Sequence, residues 1–269
     1  MQPEPLQLTD EDRTRLAQAR SLLESPGLAA RISDKLGSPI EAGMKRLPSG
    51  WRDKVNTLTH TALTQALKGA IRTLKKGEPA PPSPKLHKLA VATSGGVGGF
   101  FGLPALALEL PVSTTLILRG IADIARSEGE DLNQPDAQMA CLTVFALGGK
   151  GQADDGADSG YFAVRAALAQ SVTQAAEHLA SKGLAGEGAP VLVRLITSVA
   201  QRFSVQVSQK VAAQAIPAIG AAGGATINTL FMDHYQRMAR GHFAVRALER
   251  RYGAEQIQAA YLALPEGDD

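Results

Sequence analysis

The stretch "WRDKVNTLTHTALTQALKGAIRTLKK", residues 51–76, carries the clearest secondary-structure signal in the chain. Its apolar residues recur every three or four positions, which places them on one face of an α-helix, whereas a half-buried strand would alternate with a period of two. These residues are Trp51, Val55, Leu58, Ala62, Ala66, Ala70 and Leu74, widened by Leu63, Leu67 and Ile71. The stretch predicts an amphipathic helix that packs on other helices.

Helical patterns continue on both sides of this stretch. Thr9 precedes an acidic first turn, as a helix N-cap does, and Gly129 and Pro135 are placed to end one helix and begin the next. No region shows convincing strand alternation. Hydrophobic residues make up 44% of the chain and aromatic residues only 4%, which favours the packing of helices through small side chains. The sequence therefore predicts an all-α fold, a multi-helix bundle.

The prolines suggest how the chain is organised. "GEPAPPSP", residues 77–84, holds four prolines, which fix φ and remove backbone donors, so we interpret it as a stiff linker. The predicted organisation is an N-terminal helical region at 1–76, the linker at 77–84, a helical domain at 85–264 and an acidic tail at 265–269.

Charge and cysteine content narrow the function classes. The formal net charge is only +2, without the clustered basic face that nucleic-acid binding requires. The single cysteine, Cys141, excludes an intrachain disulfide and suits a reducing compartment. The opening residues, "MQPEPLQLTDEDR", lack the apolar core of a signal peptide. We expect a cytoplasmic protein that does not bind nucleic acid.

"TSGGVGGFFGLPALALELP", residues 93–111, resembles a phosphate loop only superficially. A P-loop needs a lysine and a hydroxyl residue after its glycines, and neither follows here. The dinucleotide-binding spacing GxGxxG also fails, because Phe101 occupies its last position. These motifs therefore do not predict nucleotide binding.

Two uncharged runs, residues 89–108 and 211–232, are long enough to cross a bilayer once. They are rich in alanine, glycine and polar residues, which argues against independent insertion. Glycines four residues apart would let neighbouring helices approach closely, so the two runs are predicted to pack as a central hairpin or to contact a bilayer surface. The residues predicted for helix packing or membrane contact are Gly95, Gly98, Gly99, Gly102, Phe100, Phe101, Gly220 and Gly224.

Polar residues beside these runs are the candidate ligand-binding residues. They are Glu109, Arg119, Asp123, Asp233 and His234. Glu109 precedes Pro111, where we expect a helix break, so its carboxylate would meet free amides at the next helix start; buried instead, it would need a partner. Arg119 and Asp123 are also explained by a solvated helix face. No catalytic or metal-binding signature occurs, and no cofactor is predicted.

Several ordered blocks resemble the EcsC family of bacterial proteins. They are "GGVGGFFGLPALALELPVSTTLILRGIADIARSEGEDL" (95–132), "ACLTVFALGG" (140–149), "SGYFAVRAAL" (159–168) and "AIPAIGAAGGATINTLFMDHYQRMARGHFAVRALERRYG" (215–253). The resemblance spans about residues 45 to 255. It implies an α-helical protein associated with membranes or transport machinery. The matched positions include Asn228, which joins the candidate ligand-binding residues.

These observations favour a non-catalytic binding protein that acts at the cytoplasmic membrane face, on lipids or on a membrane or transport partner. The alternative is an enzyme or small-ligand binder that uses a polar pocket around Glu109, Arg119, Asp233 and His234. The sequence does not decide between them.

Overall fold

The computed structural model describes residues 7–24, 26–36, 40–45, 47, 49–74, 103–148, 160–183, 190–215 and 220–265. Within these ranges every regular element is helical, so the all-α prediction is confirmed. The helices are α1 (Asp10–Glu24), α2 (Leu28–Leu36), α3 (Ile40–Met44), α4 (Trp51–Leu74), α5 (Leu103–Ser127), α6 (Pro135–Thr143), α7 (Tyr161–Lys182), α8 (Pro190–Gln214), α9 (Gly220–Tyr252) and α10 (Ala254–Leu262). A 3₁₀ turn, Val144–Ala146, follows α6.

Helix α9 is the central element of the bundle. The pattern of its sequence predicts an amphipathic helix, but nearly every side chain from 231 to 245 is buried. A helix that is buried on most faces needs neighbours all round, and α9 contacts α1, α2, α5, α8 and α10. Phe231 and Tyr235 of α9 form an aromatic cluster with Phe145 and Phe203, in which contacting ring centroids lie 4.8–6.0 Å apart, mostly in tilted or edge-to-face pairs.

Helix α5 runs without a break through Pro111, so the predicted helix start after this proline is wrong. Leu106 and Leu110 before the proline and Ile117 after it are all buried, and burying this one face stabilises a continuous helix. The missing N–H of Pro111 would have bonded the carbonyl of Ala107, a residue on the exposed side of the helix, so the lost hydrogen bond does not leave a carbonyl buried in the core. Glu109 therefore lies in the interior of a helix and not at its start.

The helices that precede the proline-rich stretch pack on those that follow it. Helix α1 lies against α9, α3 against α8, and α4 against both α5 and α8. Some of these contacts are close: a Cβ on Gly241 of α9 would lie 2.6 Å from the Leu23 side chain and 2.9 Å from the carbonyl oxygen of Ala19 in α1. Residues without a side chain therefore set the spacing of these helices.

Most of the predicted helix-packing and membrane-contact residues lie outside the described residues. These are Gly95, Gly98, Gly99, Gly102, Phe100 and Phe101. Gly220 begins α9, and Gly224 is buried within it. The second uncharged run, 211–232, is divided between the end of α8 and the start of α9. The central hairpin stays a prediction.

None of the helices in the described ranges combines the length and the apolar character that a membrane crossing requires.

Candidate functional site

A buried ion pair joins three helices at the centre of the bundle. The Nζ atom of Lys210 (α8) donates to Oε1 of Glu109 (α5) at 2.5 Å, and Nδ2 of Asn228 (α9) donates to the same oxygen at 2.9 Å. The side chains of Lys210 and Glu109 are 0% and 5% exposed. Glu109 thus has the partner that burial requires. The cluster fixes the relative positions of α5, α8 and α9.

Lys210 is a buried cation that reasoning from sequence missed. It lies on the buried stripe of α8, seven residues after Phe203 and three after Val207. Its Nζ also lies 5.0 Å from the ring centroid of Phe231, a cation–π contact. A lone lysine at helical spacing within an apolar stripe is the sequence signal that identifies such a residue.

The other candidate ligand-binding residues lie elsewhere. Arg119 is exposed and ten residues from Glu109 on the same helix, a rise of about 15 Å, so these two groups cannot contact one small ligand group together. Asp123 is half-buried and accepts from Arg126 at 3.0 Å. Within this set, the structure brings Glu109 and Asn228 into contact. A role in ligand binding stays a prediction for all of them.

Asp233 and His234 face different neighbours. Asp233 pairs with Arg31 of α2 at 2.5 Å. The His234 ring is buried beside Gly148, whose φ of 73° and lack of space for a Cβ both require glycine there. Burial, and then the charges of Arg31 and Arg237, lower the pKa of His234 to about 4, so its imidazole is neutral at pH 7.

A second polar group lies between α7 and α9. Arg165 binds both carboxylate oxygens of Glu249, at 2.7 and 2.9 Å. It also donates to the hydroxyl of Tyr161 at 3.1 Å, and that hydroxyl lies 2.8 Å from Nδ1 of His242. In the part of the chain that the structure describes, no group of three His, Cys, Asp or Glu side chains is arranged to hold a metal ion.

The arginines at the end of α9 are paired with carboxylates. Arg246 binds Glu130 and Asp136, each at 2.8 Å, and Arg250 also binds Glu130. Arg251 donates to Asp12 of α1 at 2.7 Å. The positive charge of this helix end is therefore largely compensated within the protein.

Four large hydrophobic side chains are exposed among the described residues. They are Leu108, Val112, Val193 and Leu262. Leu108 and Val112 are four residues apart on α5, so they adjoin on one helix face. The other two lie singly on α8 and α10. Singly exposed hydrophobic residues need no functional explanation, whereas an adjoining pair marks a candidate contact surface.

Comparison with known proteins identifies the family. Residues 27–248 match the model of the EcsC protein family. No curated protein and no solved structure matches the chain. Because the family match covers most of the 269 residues and agrees with the resemblance of the sequence blocks, this chain belongs to the EcsC protein family.

Proposed function

We propose that this EcsC-family protein is a non-catalytic binding protein that contacts the cytoplasmic face of a membrane through the outer surface of α5. The observation that carries the proposal is the adjoining exposed pair, Leu108 and Val112, which are 80% and 52% exposed. We call the outer face formed by Ala107, Leu108, Pro111, Val112 and Thr115 the α5 stripe.

The composition of the α5 stripe suits the boundary between headgroups and acyl chains. It carries no charged side chain, because Glu109, the acid in this part of α5, points into the core. Arg119 is exposed one turn beyond the stripe, about 16 Å along the helix from Leu108. An apolar face followed by a cation is typical of helices that lie on a membrane, since the cation reaches the phosphates.

The position of the α5 stripe in the sequence supports the same proposal. The uncharged run 89–108 ends at Leu108, so the exposed pair directly continues it. Phe100 and Phe101, predicted from sequence to contact a membrane, precede α5 in the chain. Membrane contact without crossing is consistent with the lack of a spanning helix among the described residues.

We expect the contact to be weak and mainly apolar. Complete burial of one leucine or valine side chain contributes about 1.5–3 kcal/mol, so the exposed pair alone supports reversible binding. The arginines of the α9 end contribute little, because carboxylates of the same chain already bind them. Membrane binding should therefore persist at high salt.

Liposome flotation tests this proposal. The full-length protein is mixed with neutral and anionic liposomes at low and high salt. The stripe variant is Leu108→Gln/Val112→Gln. The control variant is Val193→Gln/Leu262→Gln, which changes the two exposed hydrophobic residues outside the stripe. We expect the wild type and the control to float at both salt concentrations and the stripe variant to stay unbound.

Three outcomes would overturn the proposal. Flotation of the stripe variant at the wild-type level would exclude the α5 stripe as the contact, and no flotation of the wild type would exclude a lipid surface. Flotation lost at high salt would assign the contact to basic side chains instead of the apolar stripe.

A further inference from the structure

A pocket of about 320 Å³ opens between α6, α7, α9 and α10. Its charged and histidine lining comes from Arg165, His242, Arg246 and Glu249, its other polar lining from Thr143, Thr173 and Gln258, and its apolar wall includes Leu168 and Val172. This volume lies at the lower end of the range for ligand pockets, so it fits a small molecule. The pocket is separate from the α5 stripe and from the Glu109–Lys210 ion pair.

The hydrogen bonds around His242 leave one donor available. Arg165 donates to the Tyr161 hydroxyl, whose own proton is then free to be donated to Nδ1 of His242. In the neutral ring that arrangement places the remaining proton on Nε2. The opposite tautomer would leave the Tyr161 proton without an acceptor. Among the described residues Nε2 has no hydrogen-bond partner, and His242 is one of the residues that line the pocket, so its buried N–H is the donor that a ligand entering there would satisfy.

At the His242 ring the neighbouring charges favour an anion over a cation, although both guanidinium groups beside it are also bound by carboxylates. The lining carries two guanidinium groups and one carboxylate, since the other acids that bind Arg246, Glu130 and Asp136, do not line it. Burial, followed by the positive charges of Arg165 and Arg246, holds the pKa of His242 well below its usual value. A negative group beside Nε2 would meet the same positive charges favourably.

We propose that this pocket binds a small aliphatic carboxylate, whose anionic oxygen accepts the Nε2–H of His242 while its hydrocarbon chain lies along Leu168 and Val172. A carboxylate oxygen satisfies a buried donor that otherwise lacks a partner, and a hydrogen bond to a charged group is among the stronger ones. The apolar wall accounts for the aliphatic chain, and the pocket volume limits its length.

Calorimetric titration of the full-length protein with hexanoate and with hexylammonium tests the proposal, because the two probes share a six-carbon chain and differ in charge. Ala169 is an exposed residue of α7 that lines the pocket, so the Ala169→Phe variant places a phenyl ring in the pocket. Ala167 is exposed on the same helix but lies outside the pocket, so Ala167→Phe is the matched control. We expect hexanoate to bind the wild type and the control equally. Ala169→Phe should weaken hexanoate binding at least tenfold, and hexylammonium should not bind.

The role of His242 is tested separately, by imidazole ¹⁵N spectra recorded with and without hexanoate. The Nε2 signal of His242 is assigned by its loss in His242→Phe, and we expect this signal to shift when hexanoate binds. Because His242→Phe removes the donor, it should also weaken hexanoate binding about tenfold or more. Absence of hexanoate binding, equal binding of hexylammonium, or full binding by Ala169→Phe would each overturn the proposal. The calorimetric comparison does not depend on whether His242→Phe folds.

Discussion

Replacing Lys210 with methionine removes the cation from the most deeply buried ion pair described in the structure. Nζ of Lys210 lies 2.5 Å from Oε1 of Glu109, and the two side chains are 0% and 5% exposed. In Lys210→Met the Glu109 carboxylate keeps the amide of Asn228 as a donor but loses the counter-charge of Lys210. Methionine has nearly the length of lysine, so the expected effect comes from the uncompensated charge and not from a cavity.

Breaking a buried ion pair by removing one partner typically costs about 3–5 kcal/mol. For a domain of this size, each kcal/mol lowers Tm by about 2–4 °C, so we expect Lys210→Met to lower Tm by about 6–20 °C. The double variant Glu109→Gln/Lys210→Met contains neither charge and keeps a carbonyl acceptor for Asn228. It should recover at least about 2 kcal/mol of the summed single effects, because the two sites are in direct contact.

Urea unfolding measures these differences. Trp51, the only tryptophan, is buried in α4 and reports loss of tertiary structure by fluorescence, while circular dichroism follows helix content. Lys68→Met, at an exposed position of α4, is the matched control and should change stability by less than about 0.5 kcal/mol. A cost below about 1 kcal/mol for Lys210→Met, or strict additivity in the double variant, would refute the reasoning.

Further predictions concern packing, pH and thiol reactivity. Gly241→Ala should lower the free energy of unfolding by about 1–3 kcal/mol, because the added Cβ would meet the Leu23 side chain. At Gly69 an added Cβ would have no atom within 4 Å, so Gly69→Ala should raise the free energy of unfolding by up to about 1 kcal/mol. Equal urea midpoints for the two variants would contradict this prediction. Above pH 6.5 the His234 imidazole is neutral in both folded and unfolded states, but between pH 6.5 and its folded pKa of about 4 only the unfolded chain binds the proton. Through this group, the free energy of unfolding should therefore fall by about 2 kcal/mol from pH 8 to pH 5. In His234→Gln the free energy of unfolding should depend less on pH. The same pH dependence in the variant and the wild type would argue against a neutral buried ring. Burial raises the pKa of Cys141 to about 12, so a thiol reagent should label it only in urea, and rapid labelling of the native protein would contradict its burial.

Helical periodicity was sufficient to predict the fold class and several helix boundaries. Thr9 caps α1 by accepting from the backbone N–H of Asp12 at 3.2 Å, and Pro135 occupies the first turn of α6. Gly129 follows the end of α5 with a φ of 82°. These features depend on neighbouring residues alone, and local backbone chemistry determines them.

The same reasoning failed where distant parts of the chain compete with local preference. Pro111 breaks helices locally, yet α5 continues through it because the apolar residues on both sides share one buried face. Lys210 was missed because a lysine side chain is usually solvated; its place in the apolar stripe of α8 indicates burial, but only the approach of α5 and α9 supplies its partners. Membership of the EcsC family, by contrast, was already recognisable from the order of the sequence blocks.

The sequence by itself determined the helical fold class, the family and the identity of Glu109 and Asn228 as candidate residues. The tertiary structure alone decided that these two residues meet Lys210, that Leu108 and Val112 stay exposed, and that His242 lines a pocket. The physical reason is that a helix forms from interactions over three or four residues, whereas a buried ion pair or a pocket needs side chains from segments about one hundred residues apart.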